Sequence, residues 1–118
     1  MARFRLSSLA QADLAHILAT SAERWGAKGQ RRYAAVMAAA MRKVAANPED
    51  PVTQDRAALL PGIRSMHVRH ARGHDSAHKV NAPVHILYYR VVQPGLIEIV
   101  RVLYERMEPS RHVHGGAE

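Results

Sequence analysis

The sequence predicts an α+β domain in the order β-α-α-β-β-β, an N-terminal helical hairpin packed on a small antiparallel sheet. Three observations carry this reading. Residues 84–91 and 97–107 are β-rich apolar runs separated by Gln93-Pro94-Gly95, a Pro-Gly break that reads as a hairpin. Apolar residues recur at three and four positions through residues 14–25 and again through 33–44, the spacing of two amphipathic helices. The chain has 118 residues, 47% of them hydrophobic, enough for one core and a single domain over residues 1–118.

Taken in order, Arg3 to Leu6 alternates, with Phe4 and Leu6 on one face, and reads as a strand. Ser8 and Gln11 match a capping box, which satisfies free amides at a helix start. Leu14, Ile17, Leu18, Ser21 and Trp25 form the apolar stripe of the first helix, with Trp25 as a core anchor. Gly26 and Gly29 mark a break. Tyr33, Val36, Met37, Ala40 and Val44 form the stripe of the second helix, and Asn47-Pro48 ends it. So short a connection makes the helices antiparallel. Ala34, Ala35, Ala38 and Ala39 permit a close approach. Residues 49–61 form a connector from which Leu59 and Leu60 tuck into the core. Pro61-Gly62 turns the chain into a strand over residues 63–68. The polar stretch 69–82 reads as an exposed loop, and the tail as frayed from about residue 110. The three C-terminal strands form a meander whose apolar face the helices must cover.

The net charge of +7 favours polyanionic partners. No apolar run approaches the roughly 18 residues needed to span a bilayer, and the first residues carry no secretory signature. With no cysteine there is no disulfide or thiolate chemistry, which fits a reducing cytoplasm.

Arg64, Arg69, Arg72, Arg90, Arg101 and Arg106 fall in or beside the C-terminal strands. Between Arg56 and Arg90, five arginines and Lys79 stand against one acid, Asp75. Such forks bind phosphate or carboxylate, although a charged edge also suppresses sheet-to-sheet aggregation. His70, His74 and His78 are four apart, a spacing that on a helix would suit a metal, but Gly73 opposes a helix and no acid complements them. A pH-sensitive loop is the expectation there, with no metal and no cofactor. His67 and His85 read as hydrogen-bonded strand residues, and Glu98 as solvent-facing. His112 and His114 lie in the tail and could act as acid or base only if it folds back. Tyr88 and Tyr89 point to opposite faces, so one is expected at the outer face or the edge. No Gly-rich phosphate loop, G-x-S-x-G or H-E-x-x-H motif occurs.

The chain resembles the RelE/ParE superfamily of toxins of type II toxin–antitoxin modules. The likeness runs from Phe4 to His112 through five motifs in order: the opening run from Leu6 to Ile17, the helix end Ala22-Glu23-Arg24-Trp25-Gly26, Asn47-Pro48, Pro61-Gly62-Ile63-Arg64, and the two closing strands. The Trp25-Gly26 helix end, Tyr89-Arg90 and the exit Arg106-Met107-Glu108 look like the ParE branch, while Tyr104 stands where many ParE-like chains have histidine. The resemblance implies a non-enzymatic poison of DNA gyrase, neutralised by an acidic ParD-like antitoxin and touching DNA indirectly through the toxin–antitoxin complex. It leaves open a RelE-like ribosome-dependent mRNA ribonuclease, and a non-toxic co-repressor. On this reading no residue is catalytic. Arg64, Arg69, Arg90, Arg101, Tyr104 and Arg106 are the expected target contacts, and Leu14, Ile17, Leu18, Val36 and Met37 the expected antitoxin contacts. An antitoxin helix would lie across the hairpin and the neighbouring sheet.

Overall fold

The computed structural model describes residues 2–71 and 83–113. The readings made for Arg72, Gly73, His74, Asp75, His78, Lys79, His114 and Gly115-Gly116 lie outside these residues. Strands β1 (Arg3–Leu6), β2 (Gln54–Asp55), β3 (Arg64–His67), β4 (His85–Gln93) and β5 (Leu96–Tyr104) form one sheet in the order β1-β5-β4-β3-β2. The β3-β4-β5 meander is antiparallel, as expected. The sheet as a whole is mixed, because β1 lies parallel to β5, and the connector contributes β2. Parallel neighbours need a long crossover, which the helical segment supplies.

That segment, α1 (Ser8–Ala46), is a helical run folded back on itself at Gly26, whose φ of 71° and ψ of −174° are not helical. Gln30 Nε2 donates to the carbonyl of Leu18 at 3.0 Å. In a straight helix twelve residues would span about 18 Å, so this bond requires two antiparallel arms. Gly29, expected to share the break, is helical. The N-cap is Ser7 rather than Ser8: its Oγ accepts from Ala10 N–H at 3.0 Å, and Gln11 reaches back to the Leu6 carbonyl. Ser7 wins because its hydroxyl also donates to the Val100 carbonyl at 2.7 Å, joining the helix start to the sheet.

One face of the sheet packs on α1. Ile17, Tyr33, Val36, Met37, Ala40 and Val44 meet Leu87, Tyr89, Ile97, Ile99 and Val102. Each such large aliphatic side chain removed from water stabilises by about 1.5–3 kcal/mol. The opposite face is not bare. Ile63, Tyr88, Leu103 and Val113 form a second cluster, with Leu59 and Leu60 packed against it. Tyr88 and Tyr89 therefore do point to opposite faces, yet both are buried. The connector and the C-terminal segment cover the face on which an exposed tyrosine was expected.

Strand β5 carries a bulge. Tyr88 opposes Arg101 and Tyr89 opposes Ile99, leaving Val100 without a partner in the register. A bulge frees backbone groups and re-aims side chains. Here the Val100 carbonyl accepts from Ser7, and Val102 N–H donates to Asp13 Oδ2 at 3.0 Å. Arg101 is turned towards the first arm of α1.

Candidate functional site

The arginines that the sequence places together divide into two kinds. Arg101 binds Asp13 through both ends of its fork, at 2.8 and 2.9 Å, and donates to the His112 carbonyl at 3.1 Å. Both side chains of the ion pair are only 15% exposed. Arg64 donates to the Pro48 carbonyl at 3.1 Å and to Thr53 Oγ1 at 2.8 Å, and thereby ties the connector to β3. The expectation that Arg64 and Arg101 face a target is corrected: partners distant in sequence engage both guanidinium groups and half-bury them. Arg90 reaches Glu98 at 2.9 Å, and Arg5 reaches the other carboxylate oxygen at 3.2 Å. Glu98 is thus bracketed by two cations across β1, β5 and β4, rather than facing solvent alone. The half-exposed arginines remain at the surface. Arg69, Arg106 and Tyr104 are exposed. His112 is half-buried, with its carbonyl held by Arg101.

At the end of β3 the chain enters a 3₁₀ turn, Val68–Ala71. His67 Nδ1 accepts from the Arg69 backbone N–H at 3.0 Å, so the neutral ring carries its proton on Nε2 and donates it to Glu105 at 2.5 Å. That hydrogen bond from His67, helped by the nearby charges of Arg106 and Arg69, holds the Glu105 carboxyl below the usual carboxylate range. Beside this pair lies a cavity of about 160 Å³ whose polar lining is Gln54, Arg56, Ser65, His67, Arg69 and His70. Among the described residues no group of three or more His, Cys, Asp or Glu could hold a metal ion.

A second concavity, of about 380 Å³, opens where the two arms of α1 meet the ends of β4 and β5. Its rim carries Trp25, Tyr104, His16 and Arg24, and its floor Tyr33 and His85. Trp25 is 58% exposed, which corrects its reading as a core anchor. The apolar stripe of the first arm runs on for one turn past its last buried residue, Ser21, so the indole faces solvent beside Arg24, whose guanidinium carbon lies 5.2 Å from the ring centre. Within the groove Tyr33 Oη is 2.6 Å from His85 Nδ1 and accepts from Val84 N–H at 3.3 Å. The Tyr104 ring meets His85 edge-on, with centroids 6.2 Å apart.

Burial pushes the His85 imidazole down to about 4, aided by nearby His67 and opposed by Glu105 and Asp13. The sign follows from proton counting. Between about pH 6.5 and 4 the unfolded chain binds a proton that the folded one refuses. Stability associated with His85 is therefore complete above pH 6.5 and is lost as the pH falls towards 4. With partial solvent screening the loss is roughly 2 kcal/mol. Urea titrations at pH 7 and pH 4.5 measure it, and a His85→Gln variant should show a clearly smaller drop over the same interval. An equal drop would assign the acid sensitivity to other groups.

Of the expected antitoxin contacts, Ile17, Val36 and Met37 are buried in the core between α1 and the sheet, so their side chains offer a partner no surface. Leu14 and Leu18 are half-buried and remain partly open. The sequence reading missed Asp13, Arg5 and the His67–Glu105 pair, because each partner lies tens of residues away. The one available signal was the acid Asp13 inside an otherwise apolar helix face.

Comparison with known proteins agrees with this geometry. The family model described as the ParE toxin of the type II toxin–antitoxin system parDE matches residues 4–109. Two curated relatives are similar along nearly their whole length. "Toxin ParE1" of Mycobacterium tuberculosis strain CDC 1551 / Oshkosh and its counterpart in strain ATCC 25618 / H37Rv are each 33% identical over 111 residues, covering 94% of this chain and 97% of theirs. With the hairpin, the meander and the closing strands in place over the matched residues, the chain belongs to the ParE toxin family of type II toxin–antitoxin systems.

Proposed function

We propose that this chain arrests growth by acting on DNA gyrase in the cytoplasm, without covalent chemistry of its own, and that a ParD-like acidic antitoxin restrains it. The observation that carries the reading is the family match over residues 4–109. The surface supports it. Arg69, Arg90 and Arg106 remain exposed on a chain of charge +7, a field that attracts a polyanionic assembly such as gyrase with its DNA. The groove beside Trp25 pairs an exposed aromatic with Arg24, and no carboxylate lines it among the described residues. An acidic segment with an apolar anchor would fit there and extend over Leu14 and Leu18, and the resulting complex would carry both proteins to operator DNA. Among the described residues no helix is long and apolar enough to cross a membrane.

A supercoiling and cleavage assay with purified gyrase tests the target. Linear DNA should accumulate, or supercoiling should fail, and added antitoxin should reverse the effect. The paired change Arg69→Glu and Arg106→Glu should raise the amount of protein required by about tenfold or more, with an unchanged melting temperature. Gyrase that works normally in the presence of the toxin would reject this target. Rapid mRNA loss in cells would then point to the ribosome.

A further inference from the structure

The 160 Å³ cavity between β2, β3 and the 3₁₀ turn is separate from the Trp25 groove and sets a cationic rim, Arg56, Arg69 and His70, around the apolar side chains of Val52, Met66 and Ile86. Arg56 from the connector, His67 from β3, and Arg69 and His70 from the 3₁₀ turn line it, and no carboxylate lines it among the described residues. We propose that this cavity is a binding site for one phosphate group.

The geometry supports a preformed site. The backbone N–H of Arg69 is fixed on His67 Nδ1, which sets where the Arg69 side chain begins. Arg56 N–H donates to the Ile63 carbonyl at 2.9 Å, and the guanidinium carbon stands 5.8 Å from the centre of the Tyr88 ring. Glu105, the acid paired with His67, is turned onto its Nε2 and does not line the cavity. Ordering an arginine before binding removes part of the entropy cost of using it. Both ring nitrogens of His67 are engaged, but two planar forks and the His70 imidazole still offer more donors than a carboxylate's two oxygens can use, whereas a phosphate presents at least one more acceptor and spreads its charge.

The charge around His70 points the same way. Its imidazole is held below the ordinary value first by burial, then by the cation Arg69 and, beyond it, by His67 and Lys43, against a smaller opposing effect of Asp50. A dianion placed among these groups would reverse the balance and draw a proton onto His70.

The phosphate could be free or part of a nucleic acid. Histidine proton resonances of the intact chain, followed through a pH titration with and without inorganic phosphate, test the site. Phosphate at millimolar concentration should raise the His70 midpoint and move the Arg69 amide. Arg69→Ala should weaken binding by about tenfold or more, the loss expected for a charge-assisted contact. Arg32→Ala removes the same charge from an exposed position on α1, remote in sequence from the cavity, and should leave binding intact. Arg56→Ala repeats the test from a second element if Arg69→Ala disturbs the turn. A short single-stranded oligonucleotide with a 5′-phosphate, and the same oligonucleotide without it, then separate the sources. Competition by both assigns a backbone phosphate, competition by the first alone a terminal one, and competition by neither a free anion. No movement of His70 with phosphate would overturn the proposal. So would a phosphate response in Arg69→Ala and Arg56→Ala undiminished from that of the parent, or tighter binding of a poly-glutamate peptide. The result is independent of gyrase: a failed phosphate titration leaves the cleavage assay untouched, and an inert gyrase assay leaves the titration standing.

Discussion

Asp13→Ala is expected to lower stability by about 3 kcal/mol and the melting temperature by roughly 15 °C. Asp13 accepts both ends of the Arg101 fork and also the Val102 N–H at the bulge. Removing it leaves a largely buried guanidinium without its counter-ion and a strand amide without its acceptor. Either loss is costly where water cannot substitute. The sheet end of α1 would loosen, and with it the C-terminal segment, whose His112 carbonyl Arg101 also holds. Urea unfolding of Asp13→Ala, Arg101→Met and the double variant Asp13→Leu/Arg101→Met measures the coupling. The double variant should recover part of the loss, since an apolar pair strands no charge. A cost for Asp13→Ala below about 1 kcal/mol would place the pair with ordinary surface bridges. The same geometry makes Arg101→Glu unsuitable as a probe of target binding. It sets a carboxylate against Asp13 and would abolish toxicity by unfolding the chain.

Gly29→Ala should destabilise the fold by about 1–3 kcal/mol, although alanine is the better helix former. A Cβ at residue 29 would stand 2.3 Å from Trp25 Cβ. That neighbour is fixed by the backbone and cannot swing aside as the end of a long side chain can. The bend at Gly26 would have to open, which would break the bond from Gln30 to the Leu18 carbonyl. Gly26 itself holds a backbone conformation open essentially to glycine alone, so Gly26→Ala should cost a similar amount, about 1–3 kcal/mol. Lys28→Ala, an exposed change in the same stretch, should stay within about 0.5 kcal/mol of the parent. Thermal melts of the three variants decide the matter. A Gly29→Ala protein as stable as the parent would mean that the arms can separate without penalty.

These effects show which features were legible in the residues themselves. The two arms of α1, the glycine between them and the β4-β5 hairpin rest on periodicity and turn chemistry, which act over a few residues. The helix cap was placed within one residue, because Ser7 and Ser8 are equivalent until Val100 offers a carbonyl to one of them. Trp25 was misread because the apolar period continues for one turn beyond the part of the helix that the sheet covers, and periodicity carries no information about where a neighbour ends.

The rest was decided by pairings that span most of the chain. Placing β1 parallel to β5 depends on the crossover, and no local pattern records it. The charged residues follow the same rule. Arg64, Arg69, Arg90, Arg101 and Arg106 are alike as letters in a basic C-terminal half. What separates the structural from the exposed among them is whether folding both buries the guanidinium and brings a partner within reach, as for Arg64 and Arg101; Arg90 meets Glu98 but stays half-exposed. The sequence alone determined that this protein would be a basic α+β domain with a helical hairpin over a meander, since hydrophobic spacing and net charge are properties of the chain. Only the tertiary structure decided which cations remain free to meet a partner, because desolvation and ion pairing depend on distances between residues far apart in sequence.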